Sequence, residues 1–218
     1  MKLSIVVATP EARFSALALK GDFRDNFALL NSLGYDGVEL AVRDPQTIHP
    51  EKISSLLEEF HLQLSAIGTG RAFGEDGLSF TSSEQSVRNA AVERVKRHID
   101  LAHELKSKVI LGLILGKTEM NKETEHLALE CVQTCSEYAA KQNVSLLIEP
   151  INRYETSFIN TVDQCLEFIQ KIGRPSCRIL VDTFHMNIEE PSIYKSIKKA
   201  ESLIGHVHIA DSNRWHPG

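Results

Sequence analysis

Short apolar runs alternate with longer amphipathic stretches along almost the whole chain. Seven runs predict β-strands, which fall at 3–8, 37–42, 62–67, 108–113, 144–148, 177–181 and 205–210. Between them, apolar positions three or four residues apart predict helices at 22–33, 50–60, from 82 or 83 onward, and at 123–141, 161–172 and 191–203. The strand runs are apolar at nearly every position, which is typical of parallel strands buried on both faces.

Strict alternation of strand and helix indicates parallel β-α-β units and favours a (β/α)8 TIM barrel. The alternative is a doubly wound sheet, although Gly68-Thr69-Gly70 is only a weak candidate for a phosphate-binding loop and is equally typical of a tight turn. No linker or low-complexity segment interrupts the pattern, so residues 1–218 are predicted to form a single domain.

The predicted barrel is incomplete after its seventh strand. A complete barrel usually takes about 250 residues, and helix 7, strand 8 and helix 8 have no counterpart in the 218 residues. We therefore expect the natural chain to continue past Gly218.

Composition narrows the class of protein. A hydrophobic content of 42% with 24% charged residues is typical of a globular protein, and a net charge of -5 argues against nucleic-acid or anionic-membrane partners. The four cysteines form no C-x-x-C pair, and Cys131 and Cys135, four apart on one helix face, are expected to be semi-buried thiols of a reduced protein. No signal peptide is evident, and no apolar stretch approaches the about 20 residues of a membrane helix, so a cytoplasmic location is expected.

Polar side chains follow three consecutive late strands. Glu149 comes directly after the fifth run, Asp182 directly after the sixth, and His206 and His208 lie on the seventh. Each alone could be a helix cap, an ion pair or a hydrogen-bonded histidine, but barrel enzymes place their active sites at these strand ends. Carboxylates with an imidazole suit Mn, Mg, Co or Zn. Residues two apart point to the same side of a strand at different depths, which favours His208 as the ligand and His206 as a supporting or core residue.

Three motifs then resemble a known family: E-P-I-N-R-Y-E, D-T-F-H and H-V-H-I-A-D-S-N-R. Together they resemble the xylose-isomerase-like barrel superfamily of sugar isomerases and epimerases, and within it the tagatose/psicose group of ketose 3-epimerases. The resemblance covers essentially the whole chain. Through A-I-G-T-G-R-A-F-G-E-D-G-L-S-F-T and H-I-A-D-S-N-R-W-H-P-G, the sequence is most similar to epimerases of 5-keto-L-gluconate.

The resemblance implies a role for each matching residue. It implies three ligands of a divalent metal, with manganese expected first and Mg, Co or Zn as alternatives: Glu149, Asp182 and His208. Glu149 would also be one of two acid/base carboxylates. Three further residues would contact substrate: Glu155, His185 and Arg214. The family's fourth ligand and second acid/base carboxylate is a Glu on the barrel strand after the seventh, and no residue of this sequence matches it.

The implied reaction is metal-dependent epimerisation of a ketose or keto sugar acid of the 5-keto-L-gluconate or D-tagaturonate type. The proton of the carbon beside the ketone would leave on one face and return on the other, through an enediolate held by the metal. Family members are commonly homo-oligomers. Three alternatives are an aldose-ketose isomerase of the hydroxypyruvate type, a DNA-repair endonuclease of the same fold and a non-catalytic sugar-binding protein. The third and fourth strands lack the histidines of the endonucleases, and the acidic balance disfavours phosphate binding.

Two more residues lie at predicted strand ends. Arg71, in the loop after the third strand, is either a second contact for an anionic substrate or a solvated loop arginine. Glu39, near the end of the second strand, is expected to contact substrate, to order water or to pair with a basic side chain.

Overall fold

The computed structural model describes residues 1–13 and 19–218. Its strands all pair in parallel in one sheet of order β2-β1-β3-β4-β5-β6-β7-β8. Their bounds are β1 Ser4–Ala8, β2 Leu19–Lys20, β3 Gly37–Ala41, β4 Gln63–Gly68, β5 Val109–Leu111, β6 Leu146–Ile148, β7 Cys177–Asp182 and β8 Ile204–His208. Apart from β2, every new strand is added at the same edge, as in a TIM barrel. A doubly wound sheet would reverse this direction partway, so that alternative is wrong.

The seven predicted strands are confirmed to within two residues at either end, and the seventh of them is β8. The two-residue β2 is an addition that the sequence pattern did not predict. It pairs with the end of β1, where Val7 is opposite Leu19 and Ala8 is opposite Lys20. Two residues are too few to show a periodicity, so only the pairing reveals this strand.

Eight α-helices lie in the described residues: α1 Phe23–Ser32, α2 Pro50–Glu59, α3 Gly70–Asp76, α4 Gln85–Glu104, α5 Lys122–Lys141, α6 Val162–Ile172, α7 Thr183–Glu189 and α8 Ile193–Ala200. Six of them correspond to the six predicted helices. The pattern missed α3 and α7, which have seven residues each. Two turns of helix carry too few apolar positions for a recognisable period. The tight turn predicted at Gly68-Thr69-Gly70 is a direct strand-to-helix junction, because β4 ends at Gly68 and α3 begins at Gly70.

Capping residues fix several helix ends at the positions that the sequence predicted. Asp22 accepts hydrogen bonds from two backbone N–H groups at the start of α1, and Thr161 forms a capping box with Gln164 at the start of α6. Gly173 ends α6 with φ of 65°, a conformation that glycine adopts without strain. Helix α4 begins at Gln85, two or three residues after the predicted start near Ser82 or Ser83, and the two serine carbonyls accept hydrogen bonds from Arg88.

The sheet separates two apolar regions. A large core cluster fills the space between helices and strands, while Ala66, Ile110, Leu147 and Leu180 form a second cluster, one residue from each of β4 to β7. Side chains two positions apart on a strand share a face. The next layer toward the carboxyl ends of β6 and β7 therefore begins with Glu149 and Asp182. This places polar groups directly above an apolar floor.

The four cysteines are unpaired and buried, whereas semi-buried positions were predicted for Cys131 and Cys135. They lie on α5, α6 and β7, and burial raises the pKa of the Cys131 thiol to about 11. No helix in residues 1–13 and 19–218 combines the length and the apolar character needed to cross a membrane.

Candidate active site

Three neighbouring strands end in the three predicted ligands. Glu149 follows β6, Asp182 ends β7 and His208 ends β8, where Asp182 and His208 are register partners. The Nδ1 atom of His208 lies 3.4 Å from Glu149 Oε1 and 3.7 Å from Asp182 Oδ2. One donor atom from each residue lies within 4.8 Å of the other two. Two carboxylate oxygens and one imidazole nitrogen at this spacing fit Mn, Mg, Co or Zn.

Asp182 divides its two oxygens between the fold and the site. As the N-cap of α7, its Oδ1 accepts hydrogen bonds from the backbone N–H groups of Phe184 at 2.7 Å and His185 at 3.3 Å. Its Oδ2 faces His208. Burial alone would raise the pKa of Asp182, but hydrogen bonding to His208 and attraction to His185 and His208 outweigh it and lower the pKa. The cap holds the carboxylate in one orientation.

Gly112 makes room for the Glu149 carboxylate. It follows β5, the strand beside β6, and a Cβ atom built there would lie 2.7 Å from Glu149 Oε2 and 3.2 Å from Ile151 Cδ1. Any larger side chain would therefore displace the carboxylate. The close approach of backbone to side chain fixes one wall of the site.

Glu39 lies on the far side of His208 from the other two carboxylates. Its Oε2 is 2.9 Å from His208 Nε2 and 3.1 Å from His206 Nε2. Burial alone would raise the pKa of Glu39, but attraction to His208 and hydrogen bonds with His206 and His208 lower it to about 2. Burial would lower the pKa of His208, yet Glu39, Asp182 and Glu149 together raise it well above its ordinary value. Of the predicted roles for Glu39, pairing with basic side chains is the one that the contacts bear out.

The remaining predicted contacts form a second, connected group. His185 is buried on α7, and its Nδ1 accepts a hydrogen bond of 2.7 Å from Asn152 Nδ2. The same amide nitrogen donates to Glu155 Oε1 at 3.0 Å, and Arg214 Nη1 donates to that oxygen at 2.5 Å. Because Asn152 can only donate from this atom, neutral His185 carries its proton on Nε2, which lies 4.0 Å from Asp182 Oδ2. The second group therefore adjoins the three ligands through His185 and Asp182.

Arg214 and His185 are also placed by Phe184. The Arg214 guanidinium lies over the Phe184 ring, 4.9 Å from its centroid, and that ring packs against His185. A cation over an aromatic face is held electrostatically. Arg214 keeps about a third of its side chain exposed, at 33%. It can therefore still meet a ligand from solvent.

Arg71 is not a solvated loop residue. It lies in the first turn of α3 and is 4% exposed. Its Nε is 2.8 Å from Glu75 Oε1, and its Nη1 donates to Thr9 Oγ1 at 2.9 Å and to the Ala41 carbonyl at 3.4 Å. The solvated interpretation is therefore wrong. The structure does not bring Arg71 into the group formed by the other predicted residues.

Neither of the two main cavities found among the described residues is lined by Glu149, Asp182 or His208. One of about 370 Å³ is lined by Arg71 and Arg43 among others. The other, of about 940 Å³, is lined by residues around the amino ends of β3 to β6, including Lys108, and by His206. We place the candidate site at the carboxyl ends of β6, β7 and β8 because the candidate donor atoms of Glu149, Asp182 and His208 converge there, and barrel enzymes use that face for chemistry.

The sequence pattern missed Asn152 as a site residue. Asn152 is 1% exposed and joins His185 to Glu155. A buried amide needs hydrogen-bond partners, and its place inside the N-R-Y-E motif was the available signal. Its partner His185 lies 33 residues later, so the contact depends on the fold.

Comparison with known proteins shows which family the chain resembles. Residues 27–218 match the family model described as Xylose isomerase-like TIM barrel. The chain is 32% identical over 194 residues to an L-ribulose 3-epimerase of Methylomonas sp. (strain DH-1). The alignment covers 85% of this chain and 65% of that protein. The chain thus spans less than two thirds of that relative. It is 34% identical over 207 residues to a 3-dehydro-D-guloside 4-epimerase of Escherichia coli (strain K12), covering 89% and 76%.

A solved structure extends the likeness to three dimensions. The crystal structure of a D-allulose 3-epimerase from Methylomonas sp. in complex with D-allulose superposes with a TM-score of 0.81 at 28% identity. The match covers 97% of this chain and 74% of that chain. The two chains therefore share the barrel over nearly all of the sequence described above.

Proposed function

Because the chain belongs to the xylose isomerase-like TIM barrel family, we propose that it acts as a carbohydrate epimerase dependent on a divalent metal. The observation that carries this proposal is the convergence of Glu149, Asp182 and His208 at the carboxyl ends of three adjacent strands. The proposed reaction inverts the carbon beside a ketone in a ketose or keto sugar acid.

The relatives support epimerisation as the reaction class. A 3-epimerase of ribulose, which is a 2-ketose, and a 4-epimerase of a 3-dehydro sugar both invert the carbon adjacent to a ketone. Moving the carbonyl itself, as in an aldose-ketose isomerase, begins with removal of the same kind of proton. The two reactions therefore differ in where the proton returns.

Glu149, Asp182 and His208 are the residues that we propose to hold the metal, with manganese first and Mg, Co or Zn as alternatives. A divalent ion there would supply a Lewis acid for the substrate oxygen that gains negative charge. The chain's own contribution is to keep two carboxylates and one imidazole in fixed orientations. Asp182 is oriented by its helix cap and His208 by Glu39.

Glu149 is the proposed acid/base residue. Its Oε1 faces His208 while its Oε2 lies against Gly112, so the two oxygens have different surroundings. One oxygen can then ligate while the other takes the proton from one face of the substrate carbon or delivers a proton to that face. The opposite face is the task of the second acid/base carboxylate that the family resemblance implies. A base that is positioned in this way contributes a rate factor of about 10²–10⁴.

His185, Glu155 and Arg214 are the proposed contacts to substrate oxygens. With its proton on Nε2, His185 can donate a hydrogen bond beside Asp182. Arg214 offers a planar cation that suits a carboxylate, and it supports a keto sugar acid as the substrate. Glu155 holds Arg214 and can accept a substrate hydroxyl.

Arg71 stays a prediction as the second contact for an anionic substrate. Its nitrogens already meet Glu75, Thr9 and Ala41, so such a contact requires one of these bonds to open. A single-domain organisation, assembly into homo-oligomers and a cytoplasmic location likewise stay predictions. The four buried free thiols are consistent with a reducing compartment.

Solvent deuterium exchange tests the proposed function. The full natural protein is incubated in D2O with Mn²⁺ and a panel of ketoses and keto sugar acids, and NMR follows deuterium at the carbon beside the ketone. We expect exchange with inversion and no shift of the carbonyl. A shifted carbonyl would instead identify an isomerase, and no exchange with any substrate would refute both.

Glu149→Gln should lower the exchange rate by about 10²–10⁴-fold, because it removes the base while keeping the side-chain shape. Glu58→Gln, at an exposed position on α2, is the matched control and should exchange like the wild type. Circular dichroism melting of both variants checks that they fold. Wild-type exchange in Glu149→Gln would refute the assignment.

A further inference from the structure

Glu39 is a buried carboxylate that the proposed reaction does not use. It lies on β3, and its side chain is 6% exposed. Its partners, His206 and His208, lie on β8, which is not a neighbour of β3 in the sheet. The contact therefore crosses the interior of the barrel and joins residues 169 positions apart in the chain.

The two ring nitrogens of His208 face different groups. Nε2 lies 2.9 Å from Glu39 Oε2, whereas Nδ1 faces Glu149 Oε1 at 3.4 Å and Asp182 Oδ2 at 3.7 Å. A carboxylate accepts a hydrogen bond and cannot donate one when ionised, so it favours the tautomer with the proton on Nε2. When a cation occupies the side of Glu149 and Asp182, the proton shared with Glu39 stays on Nε2 and the Nδ1 lone pair is free to ligate.

We propose that Glu39 is a positioning residue that fixes the ring orientation and the Nε2–H tautomer of His208, and so presents Nδ1 to a divalent cation. A carboxylate that accepts a hydrogen bond from the far nitrogen of a ligating histidine strengthens metal binding by about 10–100-fold. His206 shares the same Glu39 oxygen at 3.1 Å and helps to hold the carboxylate in place. The proposal rests on the proposed function only for the position of the cation.

A different use of the same residues is a second cation site. Glu39, His206 and His208 each offer one donor atom within 4.8 Å of the others. Both imidazoles, however, meet a single carboxylate oxygen at hydrogen-bond distances. A second ion would also require His208 to bridge two metals through its two nitrogens. We therefore favour one cation, bound on the Nδ1 side.

The test measures cation binding without any sugar. Isothermal titration of the metal-free natural protein with Mn²⁺ and Co²⁺ compares the wild type with Glu39→Gln, which keeps the shape, and Glu39→Leu, which removes the acceptor. We expect one equivalent in every protein and a Kd weakened about 10–100-fold in both variants. Glu58→Gln is the control and should bind like the wild type. Melting curves exclude loss of the fold as the cause.

Spectroscopy supplies a readout that a purely structural role would not move. In the zinc-loaded protein labelled with ¹⁵N-histidine, His208 should show a protonated Nε2 and a metal-bound Nδ1. In Glu39→Leu the absorption bands of bound Co²⁺ should shift. Ligation through Nε2, a second equivalent that the variants lose, an unchanged Kd, or a wild type that binds none of these cations would overturn the proposal.

The two proposals can fail separately. A protein that binds Mn²⁺ through His208 Nδ1 with the expected dependence on Glu39, yet exchanges no deuterium, would refute the epimerase and keep the role of Glu39. Exchange at the wild-type rate with an unchanged Kd in both Glu39 variants would do the reverse.

Discussion

Asp182 shows how a single side chain can serve both a helix and a site. One of its oxygens satisfies two backbone N–H groups of α7, and the other lies beside His208. Helix caps stabilise and orient at the same time, because the capped carboxylate has lost its rotational freedom. Asp182, at the junction of β7 and α7, thus both caps the helix and presents an oxygen to the site.

Two substitutions of Asp182 separate these duties. Asparagine keeps a cap oxygen, whereas alanine removes it, so we expect Asp182→Ala to be less stable than Asp182→Asn by about 1 kcal/mol. Both variants lose the ionised oxygen, so their Mn²⁺ affinity should fall by a similar large factor. Urea unfolding and titration calorimetry measure the two effects. Equal stability of the variants would contradict the capping role.

Asp76 ties two arginines together away from the site. Its Oδ1 accepts from Arg43 Nη2 at 2.6 Å and its Oδ2 accepts from Arg94 Nη1 at 2.7 Å, with 17% of the side chain exposed. Burial alone would raise the pKa of Asp76, but the hydrogen bonds from Arg43 and Arg94 outweigh it and lower the pKa. The ionised form therefore stabilises the fold.

This linkage predicts a loss of stability in acid. Because the folded pKa is lowered, the contribution is present above the unfolded pKa of about 3.9 and disappears as the pH falls through the folded value. Asp76→Asn should cost about 2 kcal/mol at pH 7, from the loss of charged hydrogen bonds. The difference from the wild type in urea unfolding should shrink below about pH 4. A difference that is constant with pH would contradict this account.

At the scale of elements, the two glycines that flank one short 3-10 helix have no room for a side chain. A 3-10 helix, Leu113–Leu115, follows β5 and is flanked by Gly112 and Gly116. A Cβ atom on Gly116, where φ is 132°, would lie 1.7 Å from Thr81 Oγ1. On Gly112 the nearest atom would be Glu149 Oε2, the mobile end of a side chain. The two glycines are therefore required for different reasons.

Paired alanine variants should reveal this difference. Gly116→Ala combines backbone strain with overpacking and should lower the free energy of unfolding by about 3 kcal/mol. Gly112→Ala should cost less stability, since the Glu149 carboxylate can move, but it should weaken both Mn²⁺ binding and deuterium exchange. Chemical unfolding and calorimetry on both proteins test this. Equal losses of stability with normal Mn²⁺ binding in Gly112→Ala would contradict it.

On the scale of the whole molecule, the four thiols report on the integrity of the core. Cys131, Cys135, Cys165 and Cys177 are between 0% and 7% exposed and lie on three different elements. Burial raises the pKa of each thiol, so little thiolate forms at neutral pH. A reagent that attacks thiolates must therefore wait for the structure to open.

Thiol labelling should consequently follow unfolding. With Ellman's reagent at pH 8, we expect almost no reaction in the native protein and four equivalents in 6 M guanidinium. The logarithm of the slow native rate should rise in Gly116→Ala in proportion to its loss of stability, because the reactive thiols are those of the open state. Fast labelling of any thiol in the folded wild type would show that this part of the core opens locally.

The sequence by itself determined most helices and strands, and it determined that the site lies at the carboxyl ends of the strands. Hydrophobic periodicity records which face of a segment is buried, so it located seven strands and six helices. Because parallel strands bring their carboxyl ends to one edge, it also placed Glu149, Asp182 and His208 at the same level. The pattern did not predict the short helices α3 and α7, since seven residues are too few to show a helical period.

Only the tertiary structure decided which side chains meet. Periodicity says that a residue faces inward but not what it faces, and Glu39 meets His208 across the barrel from a position 169 residues away. The same applies to Asn152 between His185 and Glu155, and to the burial of Arg71 against Glu75. These contacts depend on how strands curve and register, and that is set by the packing of the whole chain.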